Sequence, residues 1–183
     1  MATNNVNLGI GLATGMFYTA TDGTALPTSS ADSLSSWTEV GAVAIDGITW
    51  SPNKDSEPLR NWARVVERLL ASEEGGTVQA PLIYTVKKTL ELIFGASNVV
   101  ETAATSSHGN VISITVAPGV SAPKAAFLFV MKDGDDMIML GTTSGIVRDL
   151  DDVSFSPTQG ITWTPTIEAD AWTLIKDDGQ TTS

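Results

Sequence analysis

The sequence predicts a β-dominated α+β fold, a β-sandwich or barrel with one flanking α-helix. Clusters rich in Gly, Ser, Thr, Asp and Pro recur at short intervals, which is typical of a chain of short strands. A single stretch combines a helical apolar stripe with a start and a stop signal. The runs with β character are residues 15–19, 40–45, 77–84, 111–116, 125–132, 137–141, 153–156 and 161–167.

The expected helix covers residues 86–94, with Thr85 as its N-cap and Gly95 as its stop. In a β-rich chain, a helix with one apolar face covers a face or an open end of a sheet. Its apolar face carries Val86, Thr89, Leu90 and Ile93, and its polar face carries Lys87, Lys88 and Glu91.

The clearest hairpin consists of two apolar runs, residues 126–132 and 137–140, around the turn Asp133-Gly134-Asp135-Asp136. Both strands are expected to be buried on both faces. The aspartates also suit a calcium loop, but such a loop needs a glutamate about twelve residues in, which the apolar run does not supply. The pattern favours a turn over a metal site.

Residues 59–70 allow two interpretations. Their apolar positions fit the stripe of a helix, yet the stretch precedes a turn at residues 72–76 that could close a hairpin with residues 77–84. Periodicity alone does not decide between these two structures.

Length and composition exclude several classes of protein. The chain of 183 residues is expected to form one domain, residues 1–183, although its length alone also allows two small domains. Its net charge of −11 disfavours binding to nucleic-acid phosphates or anionic lipid, and the lack of cysteine removes disulfides and thiolate metal sites. No run approaches the roughly 20 apolar residues of a membrane span. Residues 1–7 lack the basic start of a signal peptide.

The residues give no support to an enzyme. The single histidine, His108, lies in a loop-like stretch, so a nucleophile and its base would have to be a serine and this one residue. The sequence has no nucleophile elbow, phosphate-binding loop or histidine-rich metal spacing. We expect no catalysis, no cofactor and no bound metal.

One hexapeptide occurs twice. Gly47-Ile48-Thr49-Trp50-Ser51-Pro52 returns 113 residues later as Gly160-Ile161-Thr162-Trp163-Thr164-Pro165. The repeat predicts two quasi-equivalent strands that end in similar loops, with the two tryptophans as core candidates. The alternative is that Ile-Thr-Trp is merely good strand sequence and proline a strand terminator.

Segments along nearly the whole chain resemble the major tail tube proteins of siphophages, most closely those of phages that infect actinobacteria. The order and spacing of the segments together carry the resemblance. They are Thr14-Gly15-Met16-Phe17-Tyr18, Gly23-Thr24-Ala25-Leu26-Pro27-Thr28, Trp37-Thr38-Glu39-Val40-Gly41, Asp46-Gly47-Ile48-Thr49-Trp50-Ser51, Gly75-Gly76-Thr77-Val78-Gln79-Ala80-Pro81, Lys88-Thr89-Leu90-Glu91-Leu92-Ile93-Phe94-Gly95, Val153-Ser154-Phe155, Ile161-Thr162-Trp163-Thr164-Pro165 and Trp172-Thr173-Leu174.

This resemblance implies a tail-tube-type sandwich with N-terminal and C-terminal arms, in which residues 59–70 are strand. It also implies a structural role: hexameric rings, joined through their inner sheets, would stack into a hollow tube that conducts DNA from capsid to host. The implied partners are the tape measure protein in the lumen and the tail terminator and distal tail proteins. DNA would pass without specific binding. The implied locations are the virion tail and, during assembly, the host cytoplasm.

Two sets of candidate site residues follow from the resemblance. The stretch 51–60 would be a loop that reaches a neighbouring subunit or ring; the alternative is a solvated connection. An acidic channel wall would keep DNA from sticking. The inter-subunit candidates are Trp50, Ser51, Pro52, Asn53, Lys54, Asp55 and Arg60, and the lumen candidates are Glu39, Glu101, Glu168 and Asp170.

Two non-enzymatic alternatives stay open. A capsid decoration or head-tail joining protein of a phage would form trimers or cap a tube once. A sugar-binding β-sandwich module would cluster its aromatic residues on exposed loops.

Overall fold

The computed structural model describes residues 10–11, 17–60, 66–116, 122–133, 136–156, 158 and 160–178. In these residues the chain is β-dominated with one α-helix, which confirms the predicted fold class. The first elements are β1 (Ile10–Gly11), β2 (Phe17–Thr21), β3 (Thr38–Gly41), β4 (Thr49–Arg60), β5 (Val66–Gln79), α1 (Lys87–Phe94) and a 3-10 turn (Ala96–Asn98). The remaining elements are β6 (Val99–Thr102), β7 (Val111–Ile114), β8 (Ala125–Asp133), β9 (Asp136–Leu150), β10 (Pro165–Ala169) and β11 (Thr173–Asp177).

Two antiparallel sheets form a sandwich-like arrangement and share the strand β9. The first sheet has the order β3-β2-β8-β9-β11, with β1 paired to β8. The second has the order β9-β10-β5-β4. Residues 137–141 of β9 lie between β8 and β11, whereas residues 146–150 pair with β10. A separate hairpin of β6 and β7 lies beside α1.

The strand β8 is buried on both faces, as predicted. Phe127 and Phe129 lie in the main core, while Leu128 and Val130 belong to a second apolar cluster on the opposite side. Residues 22–37 cover that opposite side, so the outer face of the first sheet is shielded from solvent. The covering side chains are Leu26, Leu34 and Trp37.

The helix α1 confirms the predicted helix and its stop. Thr89 and Leu90 are buried against the core, and the Thr89 hydroxyl donates a hydrogen bond of 2.9 Å to the carbonyl of Val40. Gly95 ends the helix with a φ of 83°, a left-handed conformation that favours glycine. The helix therefore closes one side of the core beside β3.

The start of the helix differs from the prediction. Val86 occupies the N-cap position without a side-chain hydrogen bond, so the assignment of Thr85 as the cap is wrong. The Thr85 hydroxyl instead accepts a hydrogen bond of 2.9 Å from the indole of Trp163. Val86 is also exposed, although the apolar stripe places it on the buried face.

The strands β4 and β5 form one long hairpin. Their register runs from Thr49 opposite Gln79 to Arg60 opposite Val66. The stretch 51–60 is therefore strand, and the prediction of a loop there is wrong. Its two prolines are compatible with a strand because β4 is at the edge of the sheet, where a missing N–H breaks no inner ladder.

The predicted turn at residues 72–76 is also wrong, because β5 continues through both of its glycines. The strand interpretation of residues 59–70 is confirmed at both ends of that stretch. Residues 61–65, at the far end of the hairpin, lie outside the described residues.

Other predicted strands have different ends in the structure. The run expected at residues 137–141 is longer in the structure, because β9 continues to Leu150 through the polar cluster Thr142-Thr143-Ser144-Gly145. Residues 153–155 are not strand. Pro81 cannot donate to a ladder, and pairing after Gln79 is reduced to isolated bridges of Leu82 with Val43 and with Trp163. The hairpin of β8 and β9 is confirmed, although two of its turn residues, 134 and 135, lie outside the described residues.

The two hexapeptides are not equivalent strands. The first enters β4 and places Trp50 opposite Val78, whereas the second precedes β10 and places Trp163 opposite Leu82. Both copies pair with the segment from Val78 to Leu82, one on each side of it, and the partners of the two tryptophans are four residues apart. The prediction of two quasi-equivalent strands that end in similar loops is wrong, because the first copy continues into the edge strand β4 and the second into the inner strand β10.

Candidate assembly surface

The second sheet has one face on the core and one face toward solvent. Side chains alternate between the two faces along each strand. Val78, Ile167 and Val147 are buried on the core side. The opposite side, here called the open face, is not covered by any other described segment. Its side chains are Thr49, Ser51, Asn53, Thr77, Gln79, Ile146, Arg148, Thr166 and Glu168, and the register shift between β9 and β10 adds the exposed Asp149 opposite Thr166.

A groove of about 750 Å³ crosses the open face. Arg148 and Glu168 bridge β9 and β10 in its floor, with guanidinium and carboxylate atoms 2.5 Å apart. Asp170, just after β10, lines the same groove and makes no ion pair within the described residues. The groove therefore brings members of both candidate sets together. From the inter-subunit set it contains Ser51, Pro52 and Asn53, and from the acidic set Glu168 and Asp170.

Two consecutive glycines let the strands of this sheet approach closely. A Cβ atom on Gly76 would lie 2.7 Å from the carbonyl oxygen of Ser51. A Cβ atom on Gly75, whose φ is +137°, would lie 2.5 Å from the carbonyl oxygen of Ala169. Only glycine fits both positions, so the pair fixes the spacing of β4, β5 and β10.

Tryptophans support the sheet from the core side. Trp163 is buried and packs edge-on against Phe94, with ring centroids 5.9 Å apart. Trp50 is partly buried against the same core, and its indole N–H has no hydrogen-bond partner among the described residues. The indole of Trp172 donates a hydrogen bond of 2.9 Å to the carbonyl of Gly76. Trp50 therefore points inward, whereas Ser51 and Asn53 lie on the open face.

The other two acidic candidates lie away from the groove. Glu101 is on β6, where it accepts a hydrogen bond of 2.5 Å from Asn110 and lies 3.4 Å from the amine of Lys87. The hydrogen bond from Asn110, followed by Lys87, lowers the pKa of Glu101 below its ordinary value. Glu39 is on β3 opposite Tyr18, whose pKa is raised first by burial and then by the Glu39 charge.

Three further inter-subunit candidates, Lys54, Asp55 and Arg60, lie along the outer strand of the hairpin. Their backbone partners on β5 are Glu74, Glu73 and Val66. The sequence adds a charge pattern at this end of the hairpin. Three of the four arginines, at positions 60, 64 and 68, fall within nine residues of an otherwise acidic chain.

The second sheet ends in two unpaired edges. One is the outer side of β4, the last strand in the order. The other is the side of residues 146–150 of β9 that faces away from β10, because β8 pairs with β9 only as far as Gly145. No other described strand pairs with either edge. Unpaired edges of this length need a partner or a blocking feature; Pro52 and Pro58 remove two donors from the β4 edge and leave its other backbone groups available.

Arg148 was not among the sequence candidates. Its signal was the alternation of Ile146, Val147 and Arg148, which fits a strand with one face on the core. The sequence stretch around it was instead assigned to the connection after a short strand. His108 lies in an exposed loop between β6 and β7, and no cluster of metal-ligating side chains occurs in the described part of the chain.

An open polar sheet face and two strand edges without a partner among the described residues suit a subunit of an assembly. Residues 1–173 match the family model described as phage tail tube protein, and the chain belongs to that family. It is thus a structural subunit of a phage tail tube, and the match favours neither a capsid decoration role nor sugar binding. A comparison with curated proteins found no match. No described helix is long and apolar enough to cross a membrane.

Proposed function

We propose that six copies of this chain form a ring in which the second sheet lines the channel, and that rings stack into a tube. Membership of the tail tube family supports the tube. The observation that carries the arrangement is the open face with an unpaired edge on each side. The first sheet is less suitable as a channel lining, because residues 22–37 already cover its outer face.

Strand directions favour joining of the sheets. Neighbouring strands in the order β9-β10-β5-β4 are all antiparallel, so β4 and β9 run in opposite directions. When β4 of one copy lies beside β9 of the next, the new contact is antiparallel as well. Six copies then close into one continuous barrel without free edges, which is the general solution to exposed strand edges.

The candidate residues take positions in this arrangement. Ser51, Pro52 and Asn53 lie at the contact between neighbouring copies, and the outer strand from Lys54 to Arg60 reaches a neighbouring copy or ring, where Lys54 and Arg60 are available to acidic partners. Glu168 and Asp170 face the channel. DNA passes without specific binding, and the tape measure protein fills the channel beforehand. The tail terminator and distal tail proteins bind the two ends. Assembly takes place in the host cytoplasm before the virion is complete.

Cysteine cross-linking tests this arrangement, because the natural chain has no cysteine. Ser51→Cys on β4 and Asp149→Cys on β9 lie three strand spacings apart within one copy, roughly 14 Å, which is too far for an internal disulfide. We expect oxidation of the double variant to give a ladder of bands that ends at six copies. Each single variant is the control and stops at dimers.

Electron microscopy of the same samples tests the tube itself. Concentrated protein is expected to show rings or tubes. Particles that are monomeric at every concentration and salt would contradict the assembly, whereas tubes whose double variant gives only dimers would contradict the pairing of β4 with β9.

A further inference from the structure

Among the described side chains, the open face carries one ion pair between strands. Arg148 projects from β9 and Glu168 from the neighbouring β10, and their side chains are 68% and 41% exposed. Among the side chains that the structure describes, Arg148 is the one guanidinium on this face, and it is accessible to solvent.

The neighbours of this pair in the groove are polar, and Asp149, the residue after Arg148, is a further exposed carboxylate opposite Thr166. Thr77, Thr166 and Gln79 offer hydroxyl and amide groups, and the Gln79 amide donates to the Thr166 hydroxyl at 3.3 Å. A smaller adjoining groove adds Lys124, which makes no ion pair with Asp170 in the described part of the chain. Two cations and two carboxylates thus line the two grooves.

We propose that Glu168 masks Arg148, so that this face does not retain nucleic-acid phosphates. A guanidinium binds phosphate and carboxylate in the same way, and Glu168 already accepts a hydrogen bond from the Nη1 atom of Arg148 and offsets its charge, so the pair attracts a phosphate less than a lone guanidinium would. The role of the masked face as a channel wall rests on the proposed ring, but the masking itself is a property of one subunit. In a tube the same site repeats in every copy, and weak contacts to one polyanion multiply.

Glu168→Gln tests the masking by removing the carboxylate charge at nearly constant size. Asp170→Asn is the matched control, since it makes the same change in net charge in the same groove but releases no ion-pair partner. Arg148→Gln combined with Glu168→Gln removes the guanidinium that the first variant exposes. The readout is the affinity of the unassembled protein for a short DNA duplex across a salt series, with heparin retention as a second polyanion probe.

We expect Glu168→Gln to bind the duplex more tightly than Asp170→Asn, and the double variant to bind no better than the control. If Glu168→Gln makes one additional phosphate contact, its affinity for the duplex depends more steeply on salt concentration. A fourfold drop in salt concentration then increases its affinity by about threefold more than it increases the affinity of the control. Equal affinity and equal salt dependence of Glu168→Gln and Asp170→Asn would overturn the proposal. So would tight binding that persists in the double variant, because the guanidinium would then not be its cause.

The ring proposal and the masking proposal are tested by different experiments. Cross-linking and microscopy report on assembly, whereas duplex binding by unassembled subunits reports on the masking alone. If rings form through these edges, Glu168→Gln tubes are expected to retain a polyanion that wild-type tubes release at the same salt. Equal release by the two kinds of tube would overturn the extension of the masking to a channel wall.

Discussion

Replacing Gly76 with alanine is expected to force β4 away from β5. The new Cβ atom would lie 2.7 Å from the carbonyl oxygen of Ser51 and 3.0 Å from the Cα atom of Pro52. Both are backbone atoms, so no side-chain rotation relieves the contact. The strand must move as a whole, and the edge that we assign to the neighbouring copy moves with it.

The magnitude follows from two opposing terms. Overpacking costs about 1–3 kcal/mol, while a Gly to Ala change returns about 0.4–1 kcal/mol by restricting the unfolded chain. The net loss for Gly76→Ala is then about 1–2 kcal/mol, and in a domain of this size it lowers Tm by about 2–8 °C. Gly75→Ala is expected to cost more, because its φ of +137° adds backbone strain to a closer contact.

Urea unfolding followed by circular dichroism, at concentrations where the protein is monomeric, measures these differences. Gly109→Ala is the control, since nothing lies within 4 Å of its Cβ position and its φ is not in the left-handed range. We expect the control to be as stable as the wild type or slightly more stable. If Gly76→Ala matches Gly109→Ala, the strands do not approach as closely as the structure indicates, and the reasoning fails.

Two further changes test the helix and the small hairpin. Thr89→Val leaves the buried carbonyl of Val40 without its donor and should lower the free energy of unfolding by about 1–3 kcal/mol in urea titrations. Thr89→Ser, which keeps the hydroxyl, should lose less. Asn110→Ala removes the largest cause of the lowered pKa of Glu101, so NMR titration should show that pKa rising toward 4.5. In the wild type, the stability that Glu101 contributes is fully present above its unfolded-state pKa and is lost as the pH falls through its lower folded-state pKa. An unchanged pKa of Glu101 in Asn110→Ala would show that Asn110 is not the cause of the lowered pKa.

The helix and the hairpin of β8 and β9 were predictable because their determinants are local. The stop at Gly95 requires a left-handed backbone that glycine adopts easily, and the structure has it there. The apolar run of β8 is continuous because both of its faces are covered, and burial on two faces is visible in the sequence as a loss of alternation.

The long strands were not predictable from turn-forming residues. Gly75 and Gly76 look like a turn in the sequence, yet their role is to admit the backbones of β4 and β10 at short distance. That requirement depends on strands whose residues are far away in the chain. A local reading of glycine cannot distinguish close approach from chain reversal, and it also ended β9 too early.

The acidic candidates were only partly separable by sequence. Position on a strand does not indicate which sheet the strand joins, so Glu101 and Glu168 appeared alike although they lie on different sheets. The partner of Glu168 was not predicted either, because Arg148 is twenty residues away on a different strand. The pairing is visible only when the register of β9 against β10 is known.

The sharing of β9 by both sheets has a consequence for synthesis on the ribosome. The first sheet lacks its centre until β8 and β9 have emerged, and β5 lacks its inner neighbour until β10 follows. During that interval the nascent chain displays unpaired strands, which are prone to pair with other nascent chains. A chaperone that binds extended apolar segments would protect the protein mainly in this interval, and a stop codon before β10 would yield an aggregating fragment rather than a smaller folded domain.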